Sequence, residues 1–486
     1  MIPLGEWLPD QPALGNPGAT VAKNVVPAAR GYRAVKDTAY IDGTGTGVAL
    51  VGAYAAKTPS ASFLFAGSAA ALWRYDSATA DYDDVSNGSA TYSAVAAWRF
   101  TNFGNDVIAC GGDSVPLQAF NLTSSTDFAD LAGSPPAARF ITTVRDFVMC
   151  GYVTYSAATY PRRLYWSALD DQTGWTIGTD LSDIQDLADS GVITGLYGGE
   201  EATILLERGI YKGYFTGDPN TVWQFDRISV DRGCPYAGAS AQIGNAVFFL
   251  SDDGFYQLVG AQLTPIGDEK VDEWFDSMFD VDNRANLTCA VDPIRKLVVW
   301  SFTSLDSEDG TNDTLLFYHY ALKRWSYARL RADILFPLYQ PGFTLEGLDA
   351  ISSSIDALEI SLDDPSLAGG EFAFAAAVGD RLATFSGQPL AGVVETAEQS
   401  ETGNILVRRV YPLTDGAASG DVSVAIASRQ SQQASPTWGS TATMVDAGWC
   451  PTRAAGRYHR IRIAVSGETW DQIHGVDVDA VPLGGR

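Results

Sequence analysis

Apolar residues along most of this chain come in short β-rich runs broken by Gly, Asp or Asn, and the runs come in pairs. Each pair reads as a hairpin, an apolar run, a turn and a second run that usually ends in an aromatic residue. The first members are Phe63–Phe65 with Leu72–Tyr75, Val107–Ala109 with Leu117–Phe120, and Phe147–Met149 with Leu164–Trp166. Ile204–Leu206 with Ile210–Tyr211, Val247–Leu250 with Phe255–Tyr256, and Leu297–Trp300 with Leu315–Tyr318 continue the series. Phe372–Phe374 with Leu382–Phe385 is a fainter copy. The starts are mostly about 40 to 57 residues apart, which suits four short antiparallel strands per unit and is close to a propeller repeat. Gly104-Asn105 and Gly244-Asn245 stand just ahead of two of the runs, where a positive φ makes a tight turn into a strand. A hairpin of this kind buries its faces only when neighbours stack on it, so the repeats are expected to close into a ring. The expected fold is all-β, a β-propeller of six blades with seven as the alternative; a tandem of β-sandwiches is the rival.

Three stretches depart from the pattern. Residues 1–45 carry Pro3, Pro9, Pro12, Pro17 and Pro27 with Gly15 and Gly18 among them, too many interruptions for a helix or an interior strand. They read as an extended arm that either packs along a neighbouring subunit or wraps the chain's own body, with Trp7, Leu8 and Pro9 as candidate assembly contacts. Within the propeller, taken as 46–392, the weakly periodic segment 334–372 holds Asp349, Asp356, Glu359, Asp363 and Asp364 and reads as an acidic insertion. From 393 to 486 the strands lengthen, and Ile461, Ile463 and Val465 alternate with Arg460, Arg462 and Ala464. That alternation marks a half-exposed antiparallel sheet, expected as a β-sandwich-like platform domain. One helix is expected over Asp268–Phe279, where Val271, Trp274, Phe275 and Met278 form a single apolar stripe.

Charge narrows the partners. Lys and Arg number 32 against 58 Asp and Glu, a net charge of −26. Such a surface does not hold nucleic acid by neutralising phosphates, so any relation to DNA is expected to be confinement. No stretch reaches the roughly 20 apolar residues of a membrane-spanning helix, and the start of the chain does not read as a secretory signal. A soluble product made in the cytoplasm is expected. Cys110, Cys150, Cys234, Cys289 and Cys450 are far apart and odd in number, and read as buried small hydrophobes.

The sequence offers little reactive chemistry. His319, His459 and His474 lack metal-binding spacing, and neither a GxSxG elbow nor a P-loop occurs. Gly43–Gly47 is followed by no helix and reads as a flexible turn, and the loop beginning Asp280-Val281-Asp282-Asn283 lacks the glycine and terminal Glu of a calcium loop. Acidic doublets recur at Asp83-Asp84, Asp170-Asp171, Glu200-Glu201, Asp252-Asp253 and Asp363-Asp364. Adjacent strand residues point to opposite faces, so a doublet is not itself a catalytic pair. Asp170, Asp171, Glu200, Glu201, Asp252 and Asp253 are instead candidates for an acidic rim or channel wall. No enzyme activity, metal or cofactor is expected.

Several motifs, in order, resemble one family. Pro3-Leu4-Gly5-Glu6-Trp7-Leu8-Pro9-Asp10, Asn16-Pro17-Gly18-Ala19 and Asn24-Val25-Val26-Pro27 look like the opening of phage packaged-DNA stabilisation proteins, the tail hub or nozzle family of short-tailed phages. Trp166–Asp171, Gln185–Leu187, Glu207–Tyr211, Asp253–Tyr256, Pro265–Gly267, Lys270–Asp272, Trp300-Ser301 and Gly456–Arg462 follow. The resemblance implies a homohexameric ring in the virion, a propeller in each subunit, attached below the portal and adaptor rings. It implies docking surfaces for tail fibre, spike or needle proteins, and double-stranded DNA that passes through without specific binding. Two rival functions remain at this level, a carbohydrate-binding or glycan-cleaving propeller and a propeller scaffold with no viral role.

Overall fold

The computed structural model describes residues 2–58, 61–89, 91–188, 190–339 and 372–483. Each paired run of the sequence becomes the second and third strands of a four-stranded antiparallel blade. In the first blade these are Ser62–Ser68 and Leu72–Asp76, flanked by Leu50–Lys57 on the inside and Asp81–Asp84 on the outside. The next four blades repeat the order from the inner strands Arg99–Phe103, Ala137–Val144, Ile193–Tyr197 and Ser240–Ile243. The sixth position, Thr288–Asp292, Leu297–Phe302, Thr314–His319 and Arg324–Arg329, has the same four-stranded order but is not a separate sheet. Its outer strand meets Ala19–Lys23 at the parallel bridge Lys23↔Tyr327 and so continues into the platform. The remaining blade joins Ile334–Tyr339, Phe372–Val378 and Arg381–Thr384 to Ala39–Tyr40 from the start of the chain. Six blades are thus free-standing sheets, and a further four-stranded set, shared with the platform, fills one more place in the ring. The inner strand of the last blade lies against that of the first, which closes the ring.

The turns explain part of this order. Gly104 and Gly244 have φ of 58° and 57° as the first central residues of two-residue hairpin loops, the place where such a turn favours glycine. Gly260 and Gly379 make the same loop with φ of 59° and 63°. Tryptophans then fasten blade to blade. Trp300 Nε1 donates to the carbonyl of Ala239 and Trp325 Nε1 to that of Ile266, both at 3.0 Å, so each indole is buried with its one polar atom satisfied.

The expected insertion at 334–372 is corrected at its start, because Ile334–Tyr339 is a regular inner strand. Asp349, Asp356, Glu359, Asp363 and Asp364 lie outside the described residues. The helix is shorter than its apolar stripe and runs Asp272–Met278 after Val271, because Gly267 to Lys270 are used in a turn that places Asp272. All five cysteines are free, four of them buried, and burial pushes the thiols of Cys110 and Cys234 up to about 12, where they are inert.

Beyond the ring, Gln399–Asp415, Cys450–Val465 and Gln472–Pro482 form long antiparallel ladders. Cys450–Val465 also pairs with Val422–Arg429 and with Gly392–Thr396, and Gly392–Thr396 pairs with Ala19–Lys23. The inward side chains Val394, Val424, Ile461, Ile463 and Val465 share one core with Trp7, Trp300 and Trp325 of the arm and propeller. On the outward side, Glu395 is buried and holds Arg462 at 2.5 Å and Arg460 beside it.

Ring closure hangs on Asp42, just past the strand Ala39–Tyr40. Its side chain is fully buried and accepts from Arg381 Nε at 2.6 Å, from the Tyr82 hydroxyl at 2.5 Å and from the Leu382 amide at 3.0 Å. One carboxylate thereby ties the first blade, the last blade and the incoming chain. Asp42→Ala leaves the Tyr82 hydroxyl and the Leu382 amide without their acceptor and is expected to destabilise the protein by about 2–3 kcal/mol in denaturant unfolding. A loss under about 1 kcal/mol would show that the clasp is incidental.

Candidate functional site

Two places merit consideration as sites, the cavity on the propeller axis and the clasp where the arm meets the helix. The axial cavity has a volume of about 700 Å³ and is lined from the first strands of the six free-standing blades and of the shared one. Its wall is mostly small, apolar or neutral. Tyr54 stacks on Phe100 at 5.4 Å, the hydroxyl of the half-buried Tyr197 donates to Ser240 Oγ at 2.8 Å, and Gln242 Nε2 donates to the carbonyl of Gly198 at 2.9 Å. Among the described residues that line it, Asp333 is the single carboxylate, and Arg331 and Arg99 are the bases. Asp333 is held by Arg331 at 3.1 Å and by the Gly379 amide at 2.7 Å. A glycosidase needs two carboxylates across the scissile bond, and this wall presents one, already committed to a cation.

None of the six acids singled out in the sequence lines the cavity. Glu200 and Glu201 sit in the turn between the first and second strands of the fourth blade, and Asp170 and Asp171 between the third and fourth strands of the third. Asp252 and Asp253 sit between the second and third strands of the fifth blade. Since consecutive strands run in opposite directions, the first two doublets lie at one end of the propeller and the third at the other. They fall at both ends of the propeller rather than in one cluster. Glu200 is 3.1 Å from Arg145 yet 86% exposed, and Glu201 lies 3.6 Å from the buried ammonium of Lys212. Asp170 is exposed with φ of 56°, and Asp171, exposed too, accepts from Thr173, whose hydroxyl and amide hold its carboxyl below the usual range. For Asp253 partial burial acts upward, but the hydrogen bonds from Arg232 at 3.0 Å and Tyr256 at 2.9 Å prevail and lower it.

The arm wraps the chain's own body. Trp7 is 1% exposed, packed edge-on against Trp274 at 4.8 Å and tilted on Tyr327 at 5.0 Å. Leu8 is buried and Pro9 half-buried, so Trp7 and Leu8 serve this subunit's core and present no free face to a neighbour. Gly18 is required here, since a Cβ would lie 1.8 Å from the carbonyl oxygen of Glu6. Beyond Pro9, the carboxylate of Asp10 accepts from the amides of Glu273 at 3.0 Å and Trp274 at 2.8 Å. It caps a helix whose own N-cap position, Val271, has no capping side chain. Lys270 Nζ reaches Glu6 at 2.7 Å and completes the clasp.

Asp272 closes the same corner. Its carboxyl fills the space over Gly254 and Gly267, where a Cβ would approach within 2.2 Å and 1.9 Å, and it accepts from the Phe255 amide at 3.2 Å. Burial pushes it up to about 7; the Phe255 N–H opposes this, and Asp10, Asp268 and Asp253 add to it. No sequence spacing announced Asp10, Asp42 or Arg99, because each meets its partner far along the chain. Among the described residues no group of three or more His, Cys, Asp or Glu is placed to hold a metal ion, and no helix is long and apolar enough to cross a membrane.

No protein-family model and no curated protein matches the chain. Solved structures with similarity include the β-propeller domain of Cps50 (Swd1) from Myceliophteria thermophila, at 14% identity and a TM-score of 0.35, covering 52% of this chain and 80% of that one. Kluyveromyces lactis Hsv2 has 11% identity and a TM-score of 0.33, covering 56% of this chain and 74% of that one. An exo-β-1,3-galactanase from Phanerochaete chrysosporium has 11% identity and a TM-score of 0.31, covering 92% of this chain and 100% of that one. At these scores the similarities carry no functional argument, and the propeller is established by its strand order.

The clasp yields two expectations. Asp10→Ala removes the cap and is expected to cost about 1 kcal/mol in denaturant unfolding, whereas Asp10→Asn, which still accepts, costs less; equal losses would refute a capping role. Asp272 has a folded pKa above its unfolded value near ~4, so the folded state binds the extra proton. The stability this proton supplies is complete below that value and is lost as pH rises through about 7. Asp272→Asn is therefore expected to stabilise the protein at pH 8, by about 1 kcal/mol allowing for solvent screening, and to gain progressively less toward pH 4. A melting-temperature difference that does not change with pH would contradict this.

Proposed function

We propose that the chain is a structural subunit of the tail hub or nozzle ring of a short-tailed bacteriophage. In this reading six copies form a ring below the portal and adaptor, extend the DNA conduit, retain packaged DNA and guide its ejection. The ring docks tail fibre, spike or needle proteins, is made in the host cytoplasm and resides in the virion. What carries the reading on the structural side is the welding of platform to propeller. The strand Ala19–Lys23 bridges the shared blade on one side and the platform strand Gly392–Thr396 on the other, and the arm is clasped at Asp10 and Trp7. A wall under mechanical load needs that continuity; a module presenting a reactive pocket does not.

Charge supports the same role. With a net charge of −26 and acidic doublets at both ends of the propeller, the surface repels a phosphate backbone over a distance of about 8 Å at physiological salt. DNA moving past such a wall meets few deep minima. The axial cavity, with one committed carboxylate, gives a glycan-cleaving reading no acid pair.

Electron microscopy of the purified chain, alone and mixed with the portal and adaptor of its own particle, is expected to give closed sixfold rings seated on the adaptor. A chain that stays monomeric and never binds the adaptor, or that turns over members of a glycan panel, would overturn the proposal. Reversing Asp170, Glu200 and Asp252 to Lys in the virion is expected to slow genome ejection. Unchanged ejection would remove these acids from the conduit wall.

A further inference from the structure

We infer that the axial cavity of the propeller is a binding site for a small oxyanion, a carboxylate or phosphate group, received by the guanidinium of Arg99. The inference is independent of the ring assignment and starts from a local imbalance of charge. In a chain with 58 acidic residues, the cavity wall carries one acid among its described residues, and Arg331 already neutralises it. The charge of Arg99 is left over.

Arg99 opens the inner strand of the second blade and is held in a fixed pose. Its Nη1 donates to the carbonyl of Arg139 at 3.0 Å, and its guanidinium carbon lies 4.3 Å from the centre of the Phe140 ring. A guanidinium has five N–H donors, and this one spends a single donor on the protein. The others form the planar fork that matches a carboxylate or phosphate in two parallel bonds.

Energetics point the same way. Desolvation makes the charged form of Arg99 less favourable than usual; Cys110 and Tyr197 oppose this, and the positive charge of Arg139 adds to it only slightly. Arg99 is half-buried and has no counter-ion, and an oxyanion entering the cavity supplies the missing charge. The volume of about 700 Å³ accommodates a small organic acid or a phosphate ester. Around it, Tyr54 on Phe100 supplies an apolar wall, and Tyr197 with Ser240 a polar one.

The test is calorimetric titration of the full chain with inorganic phosphate and, separately, succinate, at constant ionic strength set with sodium chloride. Saturable binding is expected for at least one, and the tighter of the two identifies the preferred oxyanion. Arg99→Met is expected to weaken it at least tenfold, about 1.4 kcal/mol, while Arg163→Met, which removes a cation that is paired with Asp186 in the third blade and does not line the cavity, leaves it within a few-fold. Arg99→Lys keeps the charge without the fork and is expected to bind several-fold more weakly than the wild type, which decides the matter should the Met variant not fold. No saturable binding of either anion, or equal affinity in the wild type and the Arg99 variants, overturns the inference.

Discussion

Ring closure is the constraint from which the rest of this structure follows. A four-stranded blade exposes two apolar faces, and each is covered only by the next blade around the axis. The last blade borrows Ala39–Tyr40 from the beginning of the chain, so the two ends of the propeller are joined by hydrogen bonds rather than by proximity alone. Asp42 makes the joint specific by engaging Arg381, Tyr82 and the Leu382 amide with a single buried carboxylate. Hydrophobic burial would favour any compact stack of hairpins, whereas these directional bonds form only where the first and last blades meet in this arrangement.

The same early segment then serves the platform. Before it reaches the last blade, the chain pairs Ala19–Lys23 with Gly392–Thr396 and Tyr32–Ala34 with Gln472–Pro482. One stretch of chain therefore closes the propeller and seats the platform, which couples the stability of the two parts. The helix Asp272–Met278 is the hinge pin of the arrangement. It is too short to be stable by propensity, and it is capped by Asp10, ion-paired beside its start through Lys270 and Glu6, and packed on Trp7.

Charge is organised by depth. The exposed doublets stand on the turns at both ends of the blades, where solvent screens them. The buried acids among the described residues, Asp42, Asp292, Glu395 and Glu398, are each matched to an arginine. Arg99 departs from that rule, a cation held on the axis by a carbonyl and an aromatic ring. An acidic exterior around a cavity with a spare positive charge separates what the outer surface repels from what the axis is able to hold.

Local chemistry in the sequence was enough to determine the blades. Runs such as Val247–Leu250 with Phe255–Tyr256 are apolar on both faces because both faces are covered, and a glycine at a two-residue loop is legible one hairpin at a time. The long alternation around Ile461 and Ile463 likewise announced a sheet with one wet face. Tertiary structure alone decided the rest, since it depends on partners hundreds of residues away. Trp7 read equally well as a contact for a neighbour until Trp274 and Tyr327 were seen to enclose it. Asp10 and Asp42 are ordinary turn acids until a helix terminus and a guanidinium, more than 260 and more than 330 residues on, arrive to use them. Periodicity records which side of a strand is dry, whereas a cap, a clasp or an unpaired cation is a relation between distant groups that no local pattern encodes.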